Sequence, residues 1–454
     1  MLTIDRERAL ARAFSRVLAA WQEFDTARDH EPPLPLDLEQ TLLESLPEHG
    51  VDVVQAVDEA VDCLNSSLAQ ARPRYFAYVG SSGLDIGAIG DLLAHSYDPN
   101  LALHAGAATN IEHQTLNWLG EFVGYPVAAG SFTSGGTISN ITALAAARAD
   151  RFPQSRENGL TQAVGIYASA DAHYSVTRAA ELLGLGSRAV RAVPVDANRM
   201  MDIDSLLAQL AYDRRQGVAP LAVVGTAGTT LTGAVDPLAE IAAVCAEEQL
   251  WFHVDGAYGL PAASVRPELF TGISQADSVS VDAHKWMFVP KACGVVMVRD
   301  RKVLEAAFGH ETAYLPGSAN PVDSTLEYSR PLRALKLWLA LRVHGAAAFR
   351  STIAHNIELA QFLKAQARLR PEWAVGPMGE LSIALLRREG VDNGALVNAL
   401  QSDGRVFVSH ARIDDQIWIR PCFTNPRSTR SDAIALLDVA DELAEHLAGG
   451  PAIQ

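Results

Sequence analysis

The sequence predicts an α/β fold: a large domain on a mostly parallel central sheet, a small α+β domain behind it and a helical arm in front. Three observations carry that expectation. Apolar strand-like runs at Val164–Ala170, Leu221–Gly225, Trp251–Asp255 and Cys293–Val298 alternate with helical stretches, the signature of a parallel sheet. From about Val343 the pattern turns to a helix, three short strand-like runs (Leu381–Leu386, Val406–Ser409, Ile417–Arg420) and a closing helix over Asp432–Leu447. Ahead of the sheet the chain carries helical periodicity with little core of its own. The expected parts are an arm over 1–78, a large domain over 79–342 and a small domain over 343–454.

In the arm, Leu10, Phe14, Val17, Leu18 and Trp21 fall at i, i+4, i+7, i+8 and i+11, one face of an amphipathic helix that Pro32-Pro33-Leu34-Pro35 stops. Further helices are expected from near Asp37 and from Val53 to Leu68. Such a greasy stripe packs either on a second subunit or on its own chain. Next come the aromatic stretch Pro73-Arg-Tyr-Phe-Ala-Tyr-Val79 and a Gly-Ser loop, Gly80–Gly83. Thr133-Ser-Gly-Gly-Thr-Ile-Ser-Asn140 then leads into a helix beginning at Ile141. Glycines there let backbone approach an anion, and helix N-terminal amides and hydroxyls face it, as in a phosphate cradle; a plain helix cap is the alternative. No G-x-G-x-x-G follows a strand, which disfavours a dinucleotide site.

The strand at Val164–Ala170 runs into Asp171-Ala-His173, where a helix begins, and the strand at Leu221–Gly225 runs into Thr226–Pro237. There Asp236 reads as a supporting acid or as the cap of the helix over 237–249. Ligands of such sheets gather at the strands' carboxyl ends, where Thr230, Asp255 and Lys285 fall. The segment Phe308–Glu327 is rich in turn residues, and Tyr328–Trp338 starts a long helix.

Composition narrows the function. The 454 residues are 48% hydrophobic and 20% charged, and 37 basic against 53 acidic residues leave a net charge of −16, which argues against a general nucleic-acid or anionic-membrane surface. Cys63, Cys245, Cys293 and Cys422 are scattered, without C-x-x-C spacing, as expected of reduced thiols in a cytoplasmic protein with no metal site. No segment reaches the apolar length of a membrane span, and the first residues lack a signal peptide's apolar core.

The chemistry concentrates at Ser278-Val-Ser-Val-Asp-Ala-His-Lys-Trp286. A lysine between two apolar strands costs desolvation unless it is paired or loses its charge. Covalent attachment to an aldehyde cofactor removes the charge, and pyridoxal phosphate (PLP) is the commonest such aldehyde; a snorkelling surface lysine is the plainer alternative. About thirty residues upstream, Asp255 ends an apolar strand beside small residues. PLP chemistry needs an acid against its pyridine nitrogen, because the protonated ring is the electron sink.

His253-Val-Asp-Gly-Ala-Tyr258, together with Asp282-Ala-His-Lys-Trp286, resembles the fold-type I, group II PLP-dependent decarboxylases. That family includes the aromatic amino-acid, glutamate, histidine and cysteine-sulfinate decarboxylases. The resemblance runs from about Pro73 to Arg427, with several motifs in the family's order. It implies an aspartate-aminotransferase-like fold and a homodimer whose arm packs on the second subunit. It also implies PLP carried on Lys285, with Asp255 at the ring nitrogen and His173 stacked on the ring; alone, His173 reads as a helix-end histidine. Gly136 and Thr137 would hold the phosphate, with Thr230, Ala257, Asp282 and His284 around the cofactor. Tyr75, Phe76, Tyr78 and His104 would line the substrate pocket, and Arg427 would lie near it. The residues alone read equally as core aromatics, a satisfied histidine and a solvated arginine.

The implied activity is decarboxylation of an L-amino acid, with Cα protonated by His173, Lys285 or a loop group. The Tyr-Phe-Ala-Tyr stretch favours an aromatic substrate, and an acidic one would need a cation such as Arg74 or Lys291. Two departures stand out. The family carries a tyrosine in a mobile loop before the long helix, whereas here Tyr314 precedes a short loop without one. Relatives often have Tyr-Asp where this chain has Lys291-Ala292. A carbanion protonated slowly is open to oxygen, so oxidative aldehyde formation, C–C lysis and transamination stay open beside decarboxylation. A non-catalytic PLP-binding role is the remaining class.

Overall fold

A computed structural model describes residues 4–27, 33–68, 70–80, 83–310, 320–377 and 379–449. The large sheet has seven strands: β1 (Ala129–Thr133), β2 (Val164–Ser169), β3 (Val190–Val193), β4 (Ala219–Thr226), β5 (Trp251–Asp255), β6 (Ser278–Asp282) and β7 (Gly294–Val298). Their order is β1-β7-β6-β5-β4-β2-β3, and all run parallel except β7, which is antiparallel to both neighbours. Every residue of β2, β5, β6 and β7 is buried; β2, β5 and β7 accordingly read as largely apolar runs, whereas β6 alternates Ser and Val although both its faces are covered. Helix Gly136–Arg151 lies against β6 and β7, its Ala145-Ala-Ala147 run giving the small surface that close packing on a sheet needs.

The smaller sheet is antiparallel throughout, in the order β10-β11-β9-β8: β8 (Trp373–Val375), β9 (Leu386–Arg388), β10 (Ser409–Ile413) and β11 (Gln416–Arg420). Its core includes Leu363, Leu396, Leu400, Leu436 and Phe423. The helix Ala334–Arg368 that leads to it breaks at Gly345, where φ is 73°. Two expected strands are displaced here. Of Leu381–Leu386 and Val406–Ser409, only Leu386 and Ser409 lie inside a strand. The rest pairs through isolated bridges: Ala384 N–H to the Pro421 carbonyl with Phe423 N–H to the Ser382 carbonyl, and Phe407 N–H to the Arg74 carbonyl with Phe76 N–H to the Phe407 carbonyl. Pro421 has no N–H to give a continuous ladder, and beyond Arg420 the pairing is reduced to an isolated antiparallel bridge between Ile383 and Cys422.

The expected arm helices are present at Arg6–Phe24, Leu36–Thr41 and Val53–Asn65. The first and third lie side by side, tied by Arg8–Asp52, Arg12–Asp58 and Arg16–Asp62 ion pairs. Neither contains a buried residue. Among the described residues no helix is long and apolar enough to cross a membrane, and no group of three or more His, Cys, Asp or Glu could hold a metal ion.

Candidate active site

The carboxyl ends of β1, β2, β4, β5 and β6 open on one cavity of about 300 Å³. Each supplies residues at or shortly after its last ladder residue: Ser134 to Thr137, His173, Thr230, Asp255 with Ala257, and Asp282 with His284 and Lys285. Nine residues expected at a cofactor site therefore meet here: Gly136, Thr137, His173, Thr230, Asp255, Ala257, Asp282, His284 and Lys285.

Asp255 is the buried acid of the site. Its Oδ2 accepts from Asn140 Nδ2 (2.8 Å), and its Oδ1 accepts from Ala257 N–H (3.1 Å) and Ser280 Oγ (3.2 Å). Burial would push the carboxyl up; the nearby His253 ring, the Asn140 and Ala257 donors and the Lys285 ammonium instead hold it below the usual carboxylate range. Burial drives His253 itself down to about 4, so it is neutral at physiological pH and Asp255 is held by hydrogen bonds rather than by an imidazolium.

Lys285 follows β6 on a single helical turn, Ala283–Trp286, and its Nζ sits 3.0 Å from Asp282 Oδ2. Burial disfavours the ammonium, but Asp282, with Asp255 behind it, outweighs that and raises the lysine above its ordinary value. His284 Nδ1 accepts from Cys293 N–H (3.1 Å), leaving its proton on Nε2. Burial pulls both His284 and His173 below the ordinary imidazole value. His173 Nδ1 lies 2.8 Å from Ser175 Oγ and accepts from Ser175 N–H at 3.2 Å.

The residues fit PLP. Helix Gly136–Arg151 points its N-terminus into the cavity with no side chain capping it, so its first-turn amides are free for a phosphate. A Cβ on Gly136 would come within 2.9 Å of Ala257 Cβ and 3.0 Å of Asp282 Oδ2, so the approach there needs glycine. Thr226 Oγ1 and Asp282 Oδ1 line the cavity, buried and without hydrogen-bond partners, two polar atoms that a polar group would satisfy. Lys285 could carry the aldehyde and Asp255 could pair with the pyridine nitrogen.

The expected substrate residues do not line this cavity. Tyr75 is buried and stacks on Phe407 at 5.3 Å, and Phe76 is buried against Phe423 at 5.1 Å. Tyr78 is exposed, with φ of 56°. His104 lines a separate cavity with Glu112, His113 and Arg330. Arg427 pairs with Asp25 (2.9 Å) and Asp85 (3.1 Å). Tyr314 lies outside the described residues. Asp236 does not cap the next helix; its oxygens accept from Met201 N–H and Thr226 N–H, and burial raises it to about 6.

Sequence reasoning missed Asn140, Ser175, Thr226, His253 and Ser280. Asn140 had a signal: it is polar in an alanine-rich helix, one turn beyond Gly136. His253 had another, two residues before Asp255 and so on the same face of β5.

The pyridoxal-dependent decarboxylase conserved domain matches residues 35–377. An aromatic-L-amino-acid decarboxylase from Bacillus atrophaeus is 32% identical over 90% of this chain and 89% of its own. An L-2,4-diaminobutyrate decarboxylase from Rhizobium meliloti is 32% identical over 75% of this chain and 71% of its own. The crystal structure of mouse CSAD superposes with a TM-score of 0.90 at 26% identity, covering 96% of this chain and 98% of that one. The chain is thus a fold-type I protein that belongs to the pyridoxal-dependent decarboxylase family, a carboxy-lyase whose cofactor is PLP.

Proposed function

We propose that the protein decarboxylates an aromatic L-amino acid to its amine and CO2, working as a cytoplasmic homodimer. The observation that carries this is the meeting of Lys285, Asp255 and His173 on one cavity floored by an uncapped helix N-terminus. When bound, PLP supplies the electron sink for the pair left behind as the carboxylate departs as CO2. Lys285 holds it, Asp255 keeps a fixed negative charge at the ring nitrogen, and Ser134 to Thr137 take the phosphate. His173 covers the cavity from the β2 side. Tyr258, whose hydroxyl bonds Ser382 at 2.6 Å, ties the cavity wall to the small domain. Lys285 and His173 are the groups within reach that hold a proton for Cα.

The aromatic preference is supported by the Bacillus atrophaeus relative. It is also supported by the two cations that an acidic substrate would call on. Arg74 pairs with Asp432 (3.1 Å) and Lys291 Nζ bonds Gln70 Oε1 (2.8 Å), and neither lines the cavity. The dimer is supported by the arm, whose Phe14 and Leu18 remain about half exposed at 48% and 55%. One sequence feature favours a second outcome at the same site: no tyrosine lies between Leu315 and Glu327. There the amino acid, O2 and water would give aldehyde, CO2, ammonia and peroxide. Incubating the protein with PLP and a panel of amino acids, with products identified by mass spectrometry, tests both. An aromatic amine without peroxide is expected; aldehyde with peroxide, or turnover of only acidic or basic amino acids, refutes the primary reading.

A further inference from the structure

Beneath the cavity a chain of hydrogen bonds runs behind Asp255 and His173, and its direction is determined from the Asp255 end, with which the far end at Trp251 is compatible. Trp251 Nε1 can only donate, and it does so to Ser278 Oγ (2.9 Å). Ser278 then directs its own proton to His253 Nδ1 (2.8 Å), which leaves the His253 proton on Nε2, facing Asn140 Oδ1 (3.0 Å). With Oδ1 engaged, Asn140 turns its amide hydrogens to Asp255 Oδ2 (2.8 Å) and Ser175 Oγ (2.9 Å). Ser175 Oγ, accepting from Asn140, gives its proton to His173 Nδ1 (2.8 Å). At this end a carboxylate can only accept and the Ser175 N–H into Nδ1 (3.2 Å) can only donate; they orient Asn140, which places the His253 proton on Nε2 and leaves Nδ1 to accept from Ser278 Oγ. All of Asn140, His253 and Ser278 are fully buried, where an opposed pair of donors would be costly.

We propose that Asn140, braced by His253, is a positioning residue that keeps Asp255 ionised and holds His173 neutral as an Nε2–H hydrogen-bond donor. A neutral imidazole is a very weak acid, so His173 orients rather than protonates. Lys285, the one lysine or arginine among the described residues lining the cavity, then becomes the proton source for Cα. This deepens the proposed function and rests on it only for the use to which the protons are put; the polarity of the chain is open to measurement without substrate.

The measurement is the histidine side-chain 15N spectrum of the cofactor-free protein across the neutral pH range, with the His173 signal identified by its loss in H173Q. PLP affinity of the same proteins is read by absorbance titration. Wild type is expected to show His173 with a protonated Nε2, a bare Nδ1 and no titration near neutrality. Asn140→Asp removes both amide donors and lets Ser175 Oγ accept a proton from His173. It should shift His173 towards the imidazolium and weaken PLP binding by about ten- to a hundredfold, the range for lost hydrogen bonds to a charged group. His253→Gln, whose amide can still donate to Asn140 Oδ1 and accept from Ser278, should keep both wild-type signatures. If thermal melting shows that N140D does not fold, N140A carries the same test, with His173 titrating above its wild-type midpoint. A proton on Nδ1 in wild type, or wild-type His173 spectra and PLP affinity in the folded Asn140 variant, overturns the proposal. Because the spectra are taken without amino acid, a wrong substrate or product would leave them unchanged.

Discussion

Asp255→Asn is nearly isosteric, and the structure makes its cost calculable. The carboxylate meets donors on both oxygens: Asn140 Nδ2 on Oδ2, and Ala257 N–H with Ser280 Oγ on Oδ1. An amide placed here must aim its NH2 at Asn140 Nδ2 or at Ala257 N–H, and neither can accept. Flipping Asn140 to help would turn its Nδ2 against His253 Nε2–H and withdraw its donor from Ser175 Oγ. One buried donor is therefore left opposed, at about 1–3 kcal/mol of folding stability. The ring nitrogen of PLP also loses a charged partner, which at about 1.5–3 kcal/mol corresponds to roughly ten- to a hundredfold weaker retention. Urea unfolding followed by tryptophan fluorescence reads the first quantity, and PLP titration by absorbance reads the second. Wild-type stability together with wild-type retention would mean that the donors are not arranged around Asp255 as described.

Three further outcomes are expected. Lys285→Ala should abolish CO2 release and the visible absorbance of enzyme-bound PLP while the unfolding curve survives; full turnover would remove Lys285 from the chemistry. Glu112→Ala should cost about 3–5 kcal/mol, because Arg330 would lose a buried bidentate partner at 2.5 and 2.6 Å. The double change Glu112→Leu with Arg330→Met should recover most of that, and a single variant as stable as wild type in urea would contradict the pairing. His253, held down to about 4 when folded against an ordinary 6.5, stabilises the fold above pH 6.5, and that contribution fades as pH falls through 4. The loss is about 3 kcal/mol, and it should be absent in His253→Gln when urea midpoints are compared across that window.

What was legible in the sequence follows from how locally each feature is determined. Asp255 closes a strand and Lys285 and His173 follow one within four residues, and a strand-like run announces such an end whatever the rest of the chain does. The glycines ahead of Asn140 are similar, since a close backbone approach leaves its mark at the residue that makes it. Phe76 and Tyr75 carry no such mark. Whether an aromatic becomes wall or core depends on what meets it, and Phe423 and Phe407 come from the far end of the chain. Arg427 is the same case in charge, its partner Asp25 lying in the arm. The displaced strands near Leu381 and Val406 are apolar because they are buried, but each meets its partner only at an isolated bridge, Ile383 with Cys422 and Phe407 with Tyr75, which local composition does not reveal.

The layer beneath the site was hidden for a different reason. Asn140, Ser175, His253 and Ser278 are ordinary residues for caps, turns and satisfied interiors, and the spacings of Asn140 from Gly136 and His253 from Asp255 give a shared face but no order of donors. Their meaning lies in the order of donors and acceptors, a property of the connected set rather than of any member. That order can be maintained because its members stand on rigid elements: His253 on β5, Ser278 on β6, Asn140 inside a four-turn helix. A side chain on a loop could turn to satisfy either polarity. These cannot, so the charge on Asp255 and the tautomer of His173 are set by the folded sheet before any cofactor arrives.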